Sequence, residues 1–400
     1  MAALIFNGGS TGWKIAAYDV AADAVPIAPA IAELDLAWPS AGDPDDARLT
    51  FRGETRSLRA ARGLEGITAA CDALRAGGVD LDGLHAVGHR IVHGGPHLAE
   101  SVGVDEAVEA QLRELEPLAP SHNALERAAI DAARELFPGV PQIAAFDTAF
   151  HRTLPEDAYT YAGPYAWLER GIRRYGFHGL SVAYCVERVA HLLDRDARAS
   201  GFVVAHLGGG CSVTAVRDGA SADTSMGFTP LDGIMMGTRS GSVDPGILTY
   251  LARDDRSATA SDFGRRMDDV LNNASGLAGI SGVSADVREV ERSANDGNAR
   301  AELALAMFAR RAAAAIAGAV TSLDRFDALV FTGGIGEHAA AIRARICERL
   351  SLLGIALDAP ANASRMDDGR IDDAGPAVFV VQTREEWYVA RECSRVLGSL

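Results

Sequence analysis

Apolar residues alternate with other types from the start of the chain: Leu4 and Phe6 precede Asn7-Gly8-Gly9-Ser10, and Ile15 and Ala17 follow it. A period of two on both sides of a glycine-rich turn predicts a β-hairpin. Gly42 to Asp46 reads as a polar turn, and Val87 to Val92 as a strand running into His93-Gly94-Gly95-Pro96. Helical spacing follows at Val108, Leu112 and Leu115, and again at Leu125, Ala128, Ala132 and Leu136, with Ser121 or His122 near the second start, after Pro120. Ile143 to Phe146 reads as a strand running into Asp147. In the second half, Ser181 opens a helix with Val182, Val186, Val189 and Leu193 on one stripe, and Phe202 to Val216 is a second hairpin closed by Arg217-Asp218-Gly219. Asp223 to Ile247 has almost no periodicity, and an ordered loop of that length is usually functional. Asn298 to Leu323 predicts a long helix and Phe326 to Phe331 a strand. Ala339 to Leu353 predicts a helix, Ala377 to Gln382 a strand and Glu385 to Leu397 a closing helix.

Three apolar runs end in clustered glycines. Leu4-Ile5-Phe6 leads into Asn7-Gly8-Gly9-Ser10, Phe202-Val203-Val204-Ala205 into His206-Leu207-Gly208-Gly209-Gly210, and Leu329-Val330-Phe331 into Thr332-Gly333-Gly334-Ile335-Gly336. Without a Cβ, backbone N–H groups can approach an anion closely. One such turn is equally a simple reversal between strands; three predict a polyphosphate held from several sides. None has the P-loop spacing or the dinucleotide fingerprint. The hairpin that opens at residue 4 recurs at residue 202, a half-length repeat.

At 400 residues the chain exceeds one ordinary core and predicts two domains. Hydrophobic content of 48% and charged content of 23% are ordinary for a folded protein, and a net charge of −16 argues against a nucleic-acid partner. The absence of a run of about 18 uncharged apolar residues argues against a membrane span, and alanine-rich Ala312 to Leu323 reads as a packed helix. The start lacks the basic region and apolar core of a signal peptide. Cys71, Cys185, Cys211, Cys347 and Cys393 include no C-x-x-C pair or zinc spacing, so a cytoplasmic location is expected. For Cys211, packing is a simpler role than nucleophilic attack. Lys14 is the only lysine, and a compact ammonium suits a point contact with phosphate.

Arg90 sits in Gly88-His89-Arg90-Ile91-Val92-His93-Gly94-Gly95 and Arg239 in Met235-Met236-Gly237-Thr238-Arg239-Ser240-Gly241-Ser242. Among glycines, an arginine cannot serve by laying its stem over apolar surface, and its fork matches phosphate and carboxylate oxygens. Arg188 and Arg343 read instead as residues of polar helix faces. His122, His178 and His206 stand at element edges and suit hydrogen-bond donation to phosphoryl oxygens better than zinc, for which no close pair is present. Asp147, between aromatic residues at a strand end, is either a functional carboxylate or a helix N-cap.

The chain resembles the acetokinase family of the actin, sugar-kinase and heat-shock ATPase superfamily. The matching segments are Asn7 to Lys14, Gly88 to Gly95, Phe146 to His151, Tyr175 to Ser181, His206 to Ser212, Asp223 to Ile247, Phe331 to Glu337 and the helix beginning Glu385-Glu386. The resemblance implies an α/β fold of two actin-like (ribonuclease H-like) domains with an interdomain nucleotide cleft, residues 1–148 plus 384–400 and residues 149–383. It implies reversible, ATP-dependent phosphorylation of acetate to acetyl phosphate and ADP with Mg²⁺ or Mn²⁺, in a cytoplasmic homodimer. By the same resemblance Asn7 and Glu385 hold the metal, and Arg90 binds the carboxylate. Val92, Ser121, His122, Phe177 and Pro230 surround the substrate, and Asp147, His178 and Arg239 act with Arg90 in catalysis. Lys14, His206, Leu207, Gly208, Gly209, Gly210, Asp286, Val287, Arg288, Gly333, Gly334, Ile335, Gly336 and Glu337 hold the nucleotide.

The sequence departs from the family pattern at four of these places. Gly12 replaces a hydroxyl residue, Gly209 stands where Asn is frequent, Val287 where Phe is common, and Ser121 where Leu is frequent. Ser121 either enlarges the acyl pocket toward propionate or caps the following helix. The alternatives are therefore a propionate kinase of the same family and, from another class, a non-enzymatic ATP switch, which would lack an acyl-acceptor site. A sugar kinase would want a more polar pocket than Val92, Phe177 and Pro230 provide.

Overall fold

The computed structural model describes residues 1–9, 12–20, 29–38, 45–116, 123–254, 259–365 and 367–398. The chain forms two compact units: Met1–Phe150, Gly179–Ser181 and Arg384–Leu400 make unit 1, and His151–His178 with Val182–Thr383 make unit 2.

In chain order the elements are β1 (Ala2–Gly9), β2 (Gly12–Asp19), β3 (Ala32–Ala37), β4 (Asp46–Phe51), β5 (Glu54–Arg59), α1 (Leu64–Ala76), β6 (Ala86–Ile91), β7 (Val102–Gly103), α2 (Glu106–Leu115), α3 (Asn123–Leu136) and β8 (Gln142–Phe146). There follow α4 (Glu156–Tyr159), α5 (Ala166–Glu169), α6 (Gly179–Leu192), β9 (Gly201–Leu207), β10 (Cys211–Arg217), β11 (Ala220–Thr224), α7 (Pro245–Asp254), α8 (Ala260–Asn273), α9 (Gly276–Ser281), α10 (Val287–Asn295) and α11 (Ala299–Val320). The chain ends with β12 (Ala328–Thr332), α12 (Gly333–His338), α13 (Ala340–Glu348), β13 (Ala356–Leu357), α14 (Ala359–Ser364), β14 (Gly369–Arg370), β15 (Asp372–Ala374), β16 (Ala377–Val380) and α15 (Glu385–Gly398).

Unit 1 is built on one sheet of order β5-β4-β3-β2-β1-β6-β8-β7, in which β1–β6 and β6–β8 run parallel and β1–β2–β3 antiparallel. Side chains alternate between the two faces of a strand. Leu4 and Phe6 point into a core with Ile67 and Leu74 of α1 and Ala129 and Ala133 of α3. Each of the buried leucine, isoleucine and phenylalanine side chains contributes roughly 1.5–3 kcal/mol. The alternate residues face α15: Gly88 lies against Ile5, Val389 and Cys393 so closely that no Cβ fits. The register then places Lys14, Asn7 and Arg90 abreast on β2, β1 and β6.

Unit 2 repeats the plan. Its main sheet has the order β11-β10-β9-β12-β16-β14, with β9–β12 and β12–β16 parallel and β9–β10–β11 antiparallel. Three antiparallel strands followed by two parallel ones is the shared core of both units, the actin-like α/β arrangement. Among the described residues α11 is the one helix long and apolar enough to cross a membrane, by length and composition only. Here it buries Leu305, Phe308, Ala312 and Ile316 and packs on α9, α10, α13 and β10.

Several elements differ from the sequence expectations. β3 to β5, α1, β11 and α8 to α10 were not expected. The third glycine turn is the opening of helix α12, and the helix expected over 339–353 is α13 followed by a short 3₁₀ turn at Ser351–Leu353. Ser10 and the stretch 42–44 lie outside the described residues. Arg343, expected on a polar face, is 1% exposed. Its guanidinium donates to the Gly336 and Glu337 carbonyls and to Asn362, which satisfies the last carbonyls of α12.

Candidate functional site

In unit 1 the strand register fixes a polar cluster at the ends of β1 and β6. Arg90 donates from Nε and Nη2 to the two carboxylate oxygens of Asp147, at 3.0 and 2.5 Å. Its Nη1 donates to Asn7 Oδ1 and to the Gly8 carbonyl, each at 3.1 Å. One Nη2 hydrogen lies outside these bonds. Burial alone would lower the Arg90 pKa; Asp147 and then Glu385 outweigh it and hold the guanidinium charged. Asp147 is thus an ion-pair partner of Arg90.

Asn7 Nδ2 bridges the first two residues of α15, donating to Glu385 Oε2 at 3.1 Å and Glu386 Oε1 at 2.7 Å. Burial and then the neighbouring Glu385 push the Glu386 carboxyl up, and Lys14 opposes them. Two crowded carboxylates meet here, with the Asn7 amide oxygen on the other side of the amide, toward Arg90. Among the described residues no three His, Cys, Asp or Glu side chains converge as a complete metal cage. That donor set fits Mg²⁺, which keeps several waters and takes one or two carboxylates together with substrate phosphates.

The N-terminal turn of α3 adds a residue that sequence reasoning missed. Glu126 is 2% exposed, and its Oε2 accepts the Val92 N–H at 3.0 Å. Burial, opposed by Arg90 and the Val92 bond, pushes its pKa up to about 8. The available signal was its spacing: Glu126, Ala129, Ile130 and Ala133 share the buried face of α3. Val92 is buried beyond the end of β6. Ser121 and His122 lie outside the described residues.

In unit 2 the glycine turn between β9 and β10 is joined by His178 and Arg239. A Cβ at Gly210 would lie 3.1 Å from His178 Nε2 and 3.5 Å from Arg239 Nη1. His178 has φ 60°, and its Nδ1 is 3.0 Å from Ser212 Oγ. Its ring stacks on His206 with centroids 4.1 Å apart. His151 holds this segment from behind: its Nε2 pairs with the Phe177 carbonyl and its Nδ1 with Ser221 Oγ, and burial lowers its pKa to about 4. Arg239 has no carboxylate partner among the described residues. It reaches only the Pro230 carbonyl, at 3.4 Å, and the Met236 sulfur, at 3.9 Å, and burial lowers its pKa. Phe177 is buried, and Pro230 is half-buried.

Beside this group, an open pocket of about 530 Å³ is lined by Gly208, Gly209, Asp286, Val287, Arg288, Gly334 and Ile335, all of them expected, and by Ala285, Glu291, His338 and Ala339, which were not. Gly333 has φ 76°, and a Cβ there would lie 2.8 Å from the Leu207 carbonyl oxygen, so glycine alone fits. Gly333, Gly336, Glu337, Leu207 and Gly210 do not line the pocket. Glu337 Oε1 accepts the Thr383 N–H at 2.9 Å. Asp286 accepts the Arg288 backbone N–H and caps α10, and its carboxylate also pairs with the Arg288 side chain. Burial pushes the Cys211 thiol up to about 12, so it is inert as a nucleophile.

The profile of the acetokinase family matches residues 2–391. An acetate kinase of Gloeobacter violaceus is 45% identical over 407 residues, covering 98% of this chain and 98% of that protein. The crystal structure of Porphyromonas gingivalis acetate kinase superposes with a TM-score of 0.88 at 34% identity, covering 99% of each chain. A propionate kinase from Francisella tularensis superposes with a TM-score of 0.88 at 35% identity over 98% of each chain. On a match of this length and relatives of this identity, the chain belongs to the acetokinase family.

Proposed function

We propose that this protein is an acetate kinase, transferring the terminal phosphoryl group of ATP to acetate, reversibly, to give acetyl phosphate and ADP. One observation supports this reading above the others: Arg239 is half-buried, with no counter-carboxylate among the described residues, beside the tip of a glycine turn and beside His178. A desolvated cation kept without an anion is pre-organised for one that arrives with the substrate. An ATP switch has no need of it.

The acceptor is a carboxylate, ionised at neutral pH because its pKa lies near about 4–5. It needs no strong base, so the task is alignment and charge neutralisation during in-line transfer. In this reading Arg90 receives the carboxylate on its remaining Nη2 hydrogen while Asp147 keeps the fork oriented. Val92, Phe177, Pro230 and, beyond the described residues, Ser121 and His122 are assigned to the acyl group. His178 and Arg239 neutralise the transferring phosphoryl oxygens. Lys14, the turn from His206 to Gly210, Asp286 to Arg288 and Gly333 to Glu337 are assigned to the nucleotide. Asn7 and Glu385, with Glu386 beside them, would hold Mg²⁺, which when bound screens the phosphate charge.

Acetate is preferred over propionate on the relatives' names, and Ser121 keeps propionate as the alternative. A hydroxamate assay across acetate, propionate and butyrate tests the reading: acyl phosphate should form, with kcat/KM highest for acetate or propionate, and a strong butyrate preference would count against it. Arg239→Ala should lower kcat about 100- to 1,000-fold, as loss of a transition-state donor does. Activity within threefold of the parent would remove Arg239 from phosphoryl transfer.

The five cysteines, all buried and none in a C-x-x-C pair, support a reducing, cytoplasmic setting. Ile247, Tyr250 and Leu251 of α7 and Val270 of α8 leave apolar surface exposed, which supports a homodimer. Sedimentation equilibrium should give twice the chain mass; a monomer at micromolar concentration would rule the dimer out.

A further inference from the structure

Unit 1 holds a buried carboxyl that the proposed reaction does not use. Ile91 is the last β6 residue in register with β8, and the Asp147 N–H takes the Ile91 carbonyl. Val92 lies just past that ladder, and its N–H is taken by Glu126 Oε2 at 3.0 Å. Without this acceptor a buried amide would be left unpaired. Glu126 stands on the packing face of α3, where Ala129, Ile130 and Ala133 are fully buried and an apolar side chain would fill the place without a polar atom to satisfy. Its other oxygen, Oε1, is buried with no hydrogen-bond partner among the described residues. A buried polar atom of this kind calls for an explanation. Arg90, two residues before Val92, is locked to Asp147 and Asn7, so the strand end is held on one side by the ion pair and on the other by Glu126.

We propose that Glu126 is a positioning residue for the carboxylate substrate: by holding the Val92 amide it fixes the strand end that carries Arg90 and sets Val92 against the acyl group. The proposal rests on the carboxylate-kinase reading above. Glu126 acts through Arg90 and Val92 and contacts no reacting atom.

Steady-state kinetics of the full chain, with acetate and ATP varied in turn, test it. Glu126→Leu keeps the volume and removes the acceptor. The acetate KM should rise about tenfold or more while the ATP KM stays within about twofold, the signature of a lost ground-state contact for one substrate. Glu126→Gln keeps an acceptor oxygen and should return the acetate KM to within about threefold of the parent. Glu126→Asp, one methylene too short to reach Val92, should resemble the leucine variant and serves if that variant does not fold. An unchanged acetate KM in the leucine or aspartate variant overturns the proposal. So does a glutamine variant as impaired as leucine, because charge rather than the acceptor would then be required. A parent protein that makes no acyl phosphate overturns both readings, which separates that failure from an active parent with indifferent variants.

Discussion

Arg90 and Arg239 are the same residue type in opposite electrostatic settings. Arg90 is matched by Asp147, with Glu385 at 3.6 Å, whereas half-buried Arg239 has, among the described residues, carbonyl and thioether contacts alone. That contrast bears on Asp147. A carboxylate that spends both oxygens on one guanidinium is an orienting group first, and an acceptor that arrives ionised offers it no proton to remove. Asp147→Asn would turn an amide N–H toward an Arg90 N–H and loosen the fork. The acetate KM should rise about tenfold or more, with the shape of the pH–rate profile unchanged. If the variant instead kept the parent KM and lost an acidic limb from that profile, Asp147 would be acting as a base.

At the scale of elements, one tight constraint is the approach of β3 to β2. Gly12 is in register with Ala37, and a Cβ at Gly12 would collide with the Leu36 carbonyl oxygen and lie 2.8 Å from Ala37 Cα. A side chain at position 12 would therefore have to displace the backbone of β3. Gly12→Ala should cost about 2–3 kcal/mol, as overpacking does. Gly209 has nothing within 4 Å of a Cβ position, and Gly209→Asn should stay within about 0.5 kcal/mol. Thermal unfolding of the two variants checks the contrast; equal midpoints would mean that β3 yields easily.

The same elements explain what the sequence made legible. The hairpins at Asn7 and His206 announced themselves because a nearly continuous buried apolar run leads into each glycine turn, and Lys14, Arg90 and Arg239 stood out against glycine neighbours. β5 was invisible because its residues are almost all exposed, and α8 because it buries none, so neither carries a stripe. α12 was hidden in a run of glycines that propensity reads as a turn. Glu126 escaped notice and Arg343 was expected on a polar face because charged residues are expected outside, and both are buried against partners well apart in sequence.

Across the whole molecule the repeated topology comes with a repeated device: each unit fixes its sheet with a buried neutral histidine. In unit 1, His89 stacks on Phe6 and pairs with Gln142 at 2.7 Å; in unit 2, His151 pairs with Ser221 and Phe177. Burial lowers both pKa values from 6.5 to about 4. Between those limits the unfolded chain binds protons that the folded chain refuses, so stability is full above pH 6.5 and falls as pH drops toward 4. Each histidine forfeits about 3 kcal/mol by the end of that window. Glu126 acts in the opposite sense: its pKa is raised from 4.5 to about 8, so it withdraws stability as pH rises through that range. The unfolding free energy should therefore fall toward both acid and alkali. His151→Gln should flatten the acid limb between pH 6.5 and 4, and Glu126→Gln the limb between pH 4.5 and 8. Denaturant titrations at intervals across pH 4 to 9 measure both, and parallel curves for parent and variants would show that these buried groups do not set the pH dependence.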